Sequence, residues 1–374
     1  MDKENRQRMD LTLLLTAILL VAIGIIMVFS ASYSYAMSNM GDGLFFLIRV
    51  LQWAAIGLVL MIVFSQINYQ LWKKLANLLL LASLVLLVLV LTPVGTEINF
   101  AQRWIHIAGL SLMPTEVAKF SLIIFMAASL ERKKNQMQTF DQGVIPYLLL
   151  SGAVFFLVYK QPDFSTGLVL VFLMIIMMFI GGIRISHFAF LSLAGLGAVG
   201  SFLAYVFLSG QGYKTRRLVA YLDPWADPSD AGLQTIQSLL AIGSGGLSGK
   251  GIGRSIQKHL HLPEPHNDFI FSIIAEELGF IGSAFVIVLF ALFIWRCTRI
   301  AMNAPDVFGC LIASGVATLV GIQVIINIGV ATSLLPVTGI PLPFISFGGN
   351  ALVVLMALTG ILLNISKRSV GAGG

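Results

Sequence analysis

Long apolar runs recur along the whole chain, separated by short clusters of charge, glycine or proline. Each run approaches the roughly 20 residues that a helix needs to cross a ~30 Å hydrocarbon core at ~1.5 Å per residue. No stretch alternates apolar and polar residues as a barrel strand would, so the runs predict helices. They place ten spans near 11–31, 44–64, 75–92, 114–130, 144–159, 164–182, 187–209, 268–295, 307–332 and 344–365. The connections are short except for residues 210–267, between spans seven and eight. No internal repeat is visible. The expected fold is an all-α polytopic membrane protein, a single membrane domain over residues 1–374.

Composition agrees. The chain is 57% hydrophobic and 11% charged, and a soluble domain carries roughly twice that charged fraction. The formal charge of +6 reads as loop charge that sets orientation, and gives no case for nucleic acid. With the N-terminus in the cytoplasm, the inside segments hold Lys3, Arg6, Arg8, Lys73, Lys74, Arg132, Lys133, Lys134, Arg184, Arg296, Arg299, Lys367 and Arg368. The short outside loops then hold only Arg103 and Lys160, with Arg49 and Lys119 near or within spans. An even number of spans puts both termini in the cytoplasm and residues 210–267 outside. The first apolar run, about Leu11 to Phe29, is too long for a signal-peptide core and reads as a retained span. Cys297 and Cys310 flank one cytoplasmic loop with no metal spacing, and no disulfide is expected there.

The long loop carries Lys214, Arg216, Arg217, Lys250, Arg254 and Lys258. Long loops are translocated with little regard to charge, so these cations do not disturb the orientation. They suit an anionic ligand such as a lipid phosphate, or a loop that adheres to anionic headgroups. Tyr213 through Trp225 mixes cations with aromatics as an interfacial helix would, until Asp223-Pro224 and Asp227-Pro228 break it. Residues Gln234 to Ile242 form a short helical run, followed by the glycine cluster Gly243 to Gly253. That cluster fails as a P-loop, because Ser244 stands where the first glycine should be and Gly251 where Ser or Thr should be. It reads as a bend between short helices, or as a turn that offers backbone amides to a phosphate.

The loop ends in Leu262-Pro-Glu-Pro-His-Asn-Asp-Phe-Ile-Phe271, where Asn267 or Asp268 can cap the eighth span. Asp268 is also a candidate general base. A helix N-terminus lowers a carboxylate's pKa, so that role needs burial beside Phe269 and Phe271 to offset the effect. His266 is a rival base with a better intrinsic pKa, or an ordinary loop residue. Glu116 and Lys119, three residues apart, can face each other as an ion pair or face a ligand. Glu276 and Glu277 lie about two turns below Asp268. Intramembrane charge costs at least about 2.5–3.5 kcal/mol, so each must be paired or line a watery cavity. Gln161-Pro-Asp163 reads as a tight turn that caps the sixth span.

These segments in order resemble the SEDS family (shape, elongation, division and sporulation; FtsW, RodA and SpoVE). The matching pieces are Arg103-Trp104, Pro114-Thr-Glu-Val-Ala-Lys119, Gln161-Pro-Asp163, Tyr221-Leu-Asp-Pro224, Gln237 through Gly253 and Leu262 through Phe271. Ala275-Glu-Glu-Leu-Gly279, Asn327-Ile-Gly329 and Pro336 through Gly349 complete them. Asp223-Pro-Trp225 and Arg184-Ile-Ser-His187 are closer to the FtsW/SpoVE branch than to RodA. Departures are Asn267 for the usual Thr, Asn350 for Ser and Thr115 for Ser, none of which removes an ionisable group.

The resemblance implies a peptidoglycan glycosyltransferase of the bacterial cytoplasmic membrane that polymerises lipid II on the outer face, in division or sporulation. It implies Asp268 as the catalytic residue, an inverting transfer from an undecaprenyl-linked donor, and a class B penicillin-binding protein as partner. Arg217, with Arg103, Lys119, Glu116, Arg216 and His266, forms the candidate pyrophosphate and sugar site. No dedicated metal cage is visible, although a divalent cation (Mg or Mn) could share the leaving-group charge. A lipid-linked precursor flippase and a non-catalytic scaffold for a penicillin-binding protein are the other classes the sequence admits.

Overall fold

The computed structural model describes residues 9–98, 101–107, 110–209, 221–228, 232–258 and 265–368. The apolar runs are helices: α1 (Leu11–Met40), α2 (Phe45–Gln66), α3 (Gln70–Leu89), α4 (Pro114–Arg132) and α5 (Ile145–Tyr159, after one helical turn at Phe140–Gly143). They continue as α6 (Phe164–Ile180), α7 (Ile185–Ser209), α8 (Leu233–Gly245), α9 (Ile270–Met302), α10 (Val307–Ala331) and α11 (Gly349–Ser366). Among the described residues, seven are long and apolar enough to cross a membrane: α1, α2, α3, α5 with its preceding turn, α9, α10 and α11. The chain is thus a mostly helical, multi-pass membrane protein. Helix α6 is shorter, and α4 carries Glu116, Lys119, Glu131 and Arg132 within its length.

The helix boundaries follow local chemistry. Asp10 caps α1 through Leu13 N at 2.9 Å, Asp306 caps α10 through Gly309 N at 2.7 Å, and Asp163 caps α6 through Thr166 N at 3.3 Å. Leu15, Leu78, Leu149 and Val288 point outward, as lipid-facing side chains do. The inward faces form one apolar core, centred on α4, α9, α10 and α11. One end of the bundle is tied by polar groups: Arg296 grips Asp10 at 2.7 Å, and Asn364 bonds Ser65 O and Tyr69 N at 3.0 Å each.

One small sheet accompanies the helices. Between α3 and α4 lies an antiparallel meander of β1 (Gly95–Ile98), β2 (Ala101–Ile107) and β3 (Leu110–Leu112), in the order β1-β2-β3. Thr96 pairs with Trp104 and His106 with Ser111, with a bulge between Thr96 and Glu97. The strands are only three to seven residues long, too short to leave an alternating pattern among the apolar runs.

Part of the stretch 210–267 is built into the bundle. Its residues 233–258 pack against α9. Ser238 on α8 shares hydrogen bonds with Ser272 Oγ and Ala331 O, each at 2.6 Å. Helix α9 is broken at Gly279, whose φ is 69°. The glycine cluster fills the break. Lys250 N and Gly251 N donate to the Glu276 and Glu277 carbonyls at 3.0 and 2.9 Å, while Phe280 N and Ile281 N donate to Gly246 O and Leu247 O at 2.9 and 3.1 Å. Backbone groups orphaned by the break are thereby satisfied. A side chain at 249 or 279 would collide with the opposing backbone, which is why both positions are glycine.

Glu276 and Glu277 are fully buried and paired. Lys250 meets Glu276 at 2.7 Å, and Lys258 meets Glu277 at 2.8 Å. Ser30 Oγ on α1 donates to Glu277 at 2.7 Å, and the Ile256 amide and the Ser255 hydroxyl donate to Glu276. Two of the six loop cations, Lys250 and Lys258, therefore hold the fold together. The glycine cluster is the bend of the two sequence readings, with the Lys250 and Gly251 amides already used.

Candidate active site

A cleft of about 410 Å³ opens where β2, α4, α6, α10 and the segments flanking residues 268 and 340 converge. Asp268, Arg103, Glu116 and Lys119, four of the sequence-derived candidates, line it together. Arg49, Asp163, Gln323 and Asn350 also line it. Arg49 stood out in the sequence only as a cation near a span, and Gln323 not at all. An amide side chain in the apolar run of α10, one turn from Asn327, was the available signal.

The Asp268 backbone is held from two sides. Three successive carbonyls accept hydrogen bonds: His266 O from Phe347 N at 2.9 Å, Asn267 O from Ser346 Oγ at 2.7 Å, and Asp268 O from Asn327 Nδ2 at 2.8 Å. Asn327 donates also to Ile340 O at 2.9 Å, joining the two segments. Gly339, with φ 74°, passes beside the carboxylate, and a Cβ there would sit 3.4 Å from Asp268 Oδ2. The cap position of α9 is Phe269, the residue after Asp268. Asp268 is half-buried on the cleft wall.

On the opposite wall, Lys119 Nζ donates to Glu116 Oε1 at 2.6 Å, both side chains being buried. The pair reading of these residues and the ligand-facing one coexist, because both also line the cleft. Strand β2 delivers Arg103, which donates to Gln161 O at 3.2 Å and to Pro162 O, and lies 3.9 Å from Asp163 Oδ2. The guanidinium thus clips β2 to the turn before α6. Asn350 Nδ2 donates to Ser111 O at 2.8 Å and anchors β3 to α11. Arg49 lies over the Phe45 ring at 4.2 Å.

His266 sits elsewhere. It is 3% exposed, packed among Tyr35, Phe46 and Phe347, and does not line the cleft. Burial holds its pKa down at about 4. Neutral and enclosed, it supports the wall behind Asp268 rather than facing a substrate. Arg216 and Arg217 lie outside the described residues. Among the described residues no three His, Cys, Asp or Glu side chains converge as a metal cage.

The family model described as "Cell cycle protein" and bearing the names FtsW, RodA and SpoVE matches residues 10–370. Stage V sporulation protein E of Bacillus subtilis is 44% identical over 362 residues, covering 96% of this chain and 97% of that protein. A probable peptidoglycan glycosyltransferase FtsW of Geobacter sulfurreducens is 41% identical over 367 residues, covering 98% and 97%. Among solved structures, a chain of a peptidoglycan synthase complex that coordinates polymerization and crosslinking superposes with a TM-score of 0.79 at 31% identity, covering 96% of this chain and 98% of that one. The rod shape determining protein RodA of Thermus thermophilus superposes with a TM-score of 0.70 at 29% identity, covering 97% and 98%.

Proposed function

Because the chain belongs to the FtsW, RodA and SpoVE family of cell cycle proteins, we propose that it is a peptidoglycan glycosyltransferase that polymerises lipid II, with Asp268 as general base. The observation that carries the mechanism is the cleft itself, where half-buried Asp268 shares the lining with Arg49, Arg103 and Lys119, the last two beside Asp163 and Glu116.

In this reading Asp268 takes the proton of the acceptor sugar's 4-hydroxyl. The oxygen forms a bond to the donor's anomeric carbon as the bond from that carbon to the phosphate oxygen breaks. The α-linked donor gives a β-linked glycan, so the carbon inverts. Arg103 and Lys119 face the departing polyprenyl pyrophosphate, with Arg217 as a further cation from the loop. Glu116 holds the Lys119 ammonium within reach of the cleft. Among the described residues no three His, Cys, Asp or Glu side chains form a metal cage, and a divalent cation could share the leaving-group charge with these cations.

The reading places the protein in the bacterial cytoplasmic membrane with ten spans, both termini inside and the cleft at the outer face. Nucleotide sugars are not available there, which requires a lipid-linked donor. The likeness to a chain of a peptidoglycan synthase complex supports a class B penicillin-binding protein as partner, in division or sporulation.

Purified protein incubated with lipid II tests the proposal. Glycan strands should form with the wild type and not with folded Asp268→Asn. Polymerisation by that variant would remove Asp268 from the mechanism, and lipid scrambling without polymer would favour translocation.

A further inference from the structure

Gln323 lies on α10 one turn before Asn327, and so about 6 Å deeper along the helix than the residue that holds Asp268. It is 3% exposed, lines the cleft, and its Oε1 has no hydrogen-bond partner among the described residues. A buried polar atom without a partner is unfavourable, so such an atom in a binding cleft marks a place kept for a ligand. The neighbouring lining residues of α4 and α6 include Lys119, Thr166 and Val169.

We propose that Gln323 is a specificity-determining residue that reads an uncharged polar group of the sugar, a hydroxyl or acetamido N–H, through its side-chain carbonyl. The chemistry of the cleft divides accordingly. A phosphate offers only acceptors and suits Arg103, Arg49 and Lys119. A carboxamide offers one acceptor and donors without charge, which suits a sugar that presents hydroxyl and acetamido groups. The assignment rests on the glycosyltransferase reading, and adds to it the group that selects the glycan.

The test compares full-length Gln323→Leu and Gln323→Glu with the wild type in lipid II polymerisation, with thermal unfolding measured in the same detergent. Among the described residues leucine removes no hydrogen bond of the side-chain carbonyl, so unfolding should be unchanged or raised while KM rises roughly tenfold, the worth of one lost hydrogen bond. Against a donor lacking the 2-acetamido or a sugar hydroxyl, the variant's disadvantage should shrink for the group that Gln323 reads. An unchanged KM with active wild type would overturn the assignment, as would an activity loss matched by a loss of stability. Wild type that makes no polymer would instead overturn the function on which the assignment rests.

Discussion

The side-chain amide of Asn327 donates to the backbone carbonyl of Asp268 at 2.8 Å, and its other contact, Ile340 O at 2.9 Å, ties the same point to the adjoining segment beside the carboxylate. Asn327 is 1% exposed and touches the chain of the candidate base without being the base. Asn327→Leu should leave two buried carbonyls unsatisfied and cost about 2 kcal/mol of stability. A carboxylate displaced by a fraction of an ångström should lower kcat by up to roughly 10²-fold with a smaller change in KM. Steady-state polymerisation kinetics beside thermal unfolding distinguish this from simple unfolding.

The Lys258–Glu277 pair is buried, 4% and 0% side-chain exposed, with Ser30 completing it. Glu277→Gln or Lys258→Met alone leaves an uncompensated charge inside the bundle, and should destabilise by about 3–5 kcal/mol. Replacing both with apolar residues should recover much of the loss. A double-mutant cycle on unfolding in detergent measures the coupling, and additive losses would contradict the pairing.

Two glycines of similar appearance should respond oppositely. Gly279→Ala puts a Cβ against the Gly249 and Leu247 backbone at φ 69° and should prevent the loop from seating. Gly243 lies on α8 with nothing within 4 Å of its missing Cβ. Gly243→Ala should therefore be neutral or stabilise the helix by up to about 1 kcal/mol. The yield of folded protein, followed by size-exclusion chromatography, separates the two.

His266 gives a pH signature. Burial depresses its folded-state pKa to about 4, while an unfolded histidine titrates near ~6.5. Between these values the unfolded chain binds more protons, so stability rises with pH there. The contribution is complete above about 6.5 and is lost as pH falls towards 4. Unfolding temperatures measured from pH 7 to 4 should fall for the wild type, and fall less for His266→Phe. Equal slopes would show that another group dominates.

The mostly helical, multi-pass character was legible in the apolar runs because a membrane span must satisfy its backbone internally and shows little but hydrophobicity outside. The expected edges at 114 and 307 coincide with the first residues of α4 and α10. The meander was not legible, since its strands are too short to establish a period. Nor was the break in α9, because Gly279 sits inside an apolar run and its partners, Gly246 to Gly251, come about 30 residues earlier. Glu116 and Lys119 were legible as charges in costly surroundings, Asp268 as a carboxylate at the end of the long loop, and Arg103 through the family resemblance. An imidazole in a proline-rich loop gives no sign of the Phe46 and Phe347 rings that enclose His266.

The notch at Gly279 also has a temporal side. The piece that fills it, Gly246 to Gly251, leaves the ribosome before the span that contains it has been made. Neither part can complete its backbone hydrogen bonds alone. The upper section of α9, which begins two residues after Asp268, therefore reaches its final seat only when an earlier segment and a later one meet. The cleft is lined by residues as late in the chain as Ala351, so it cannot be complete until nearly the whole chain has been made.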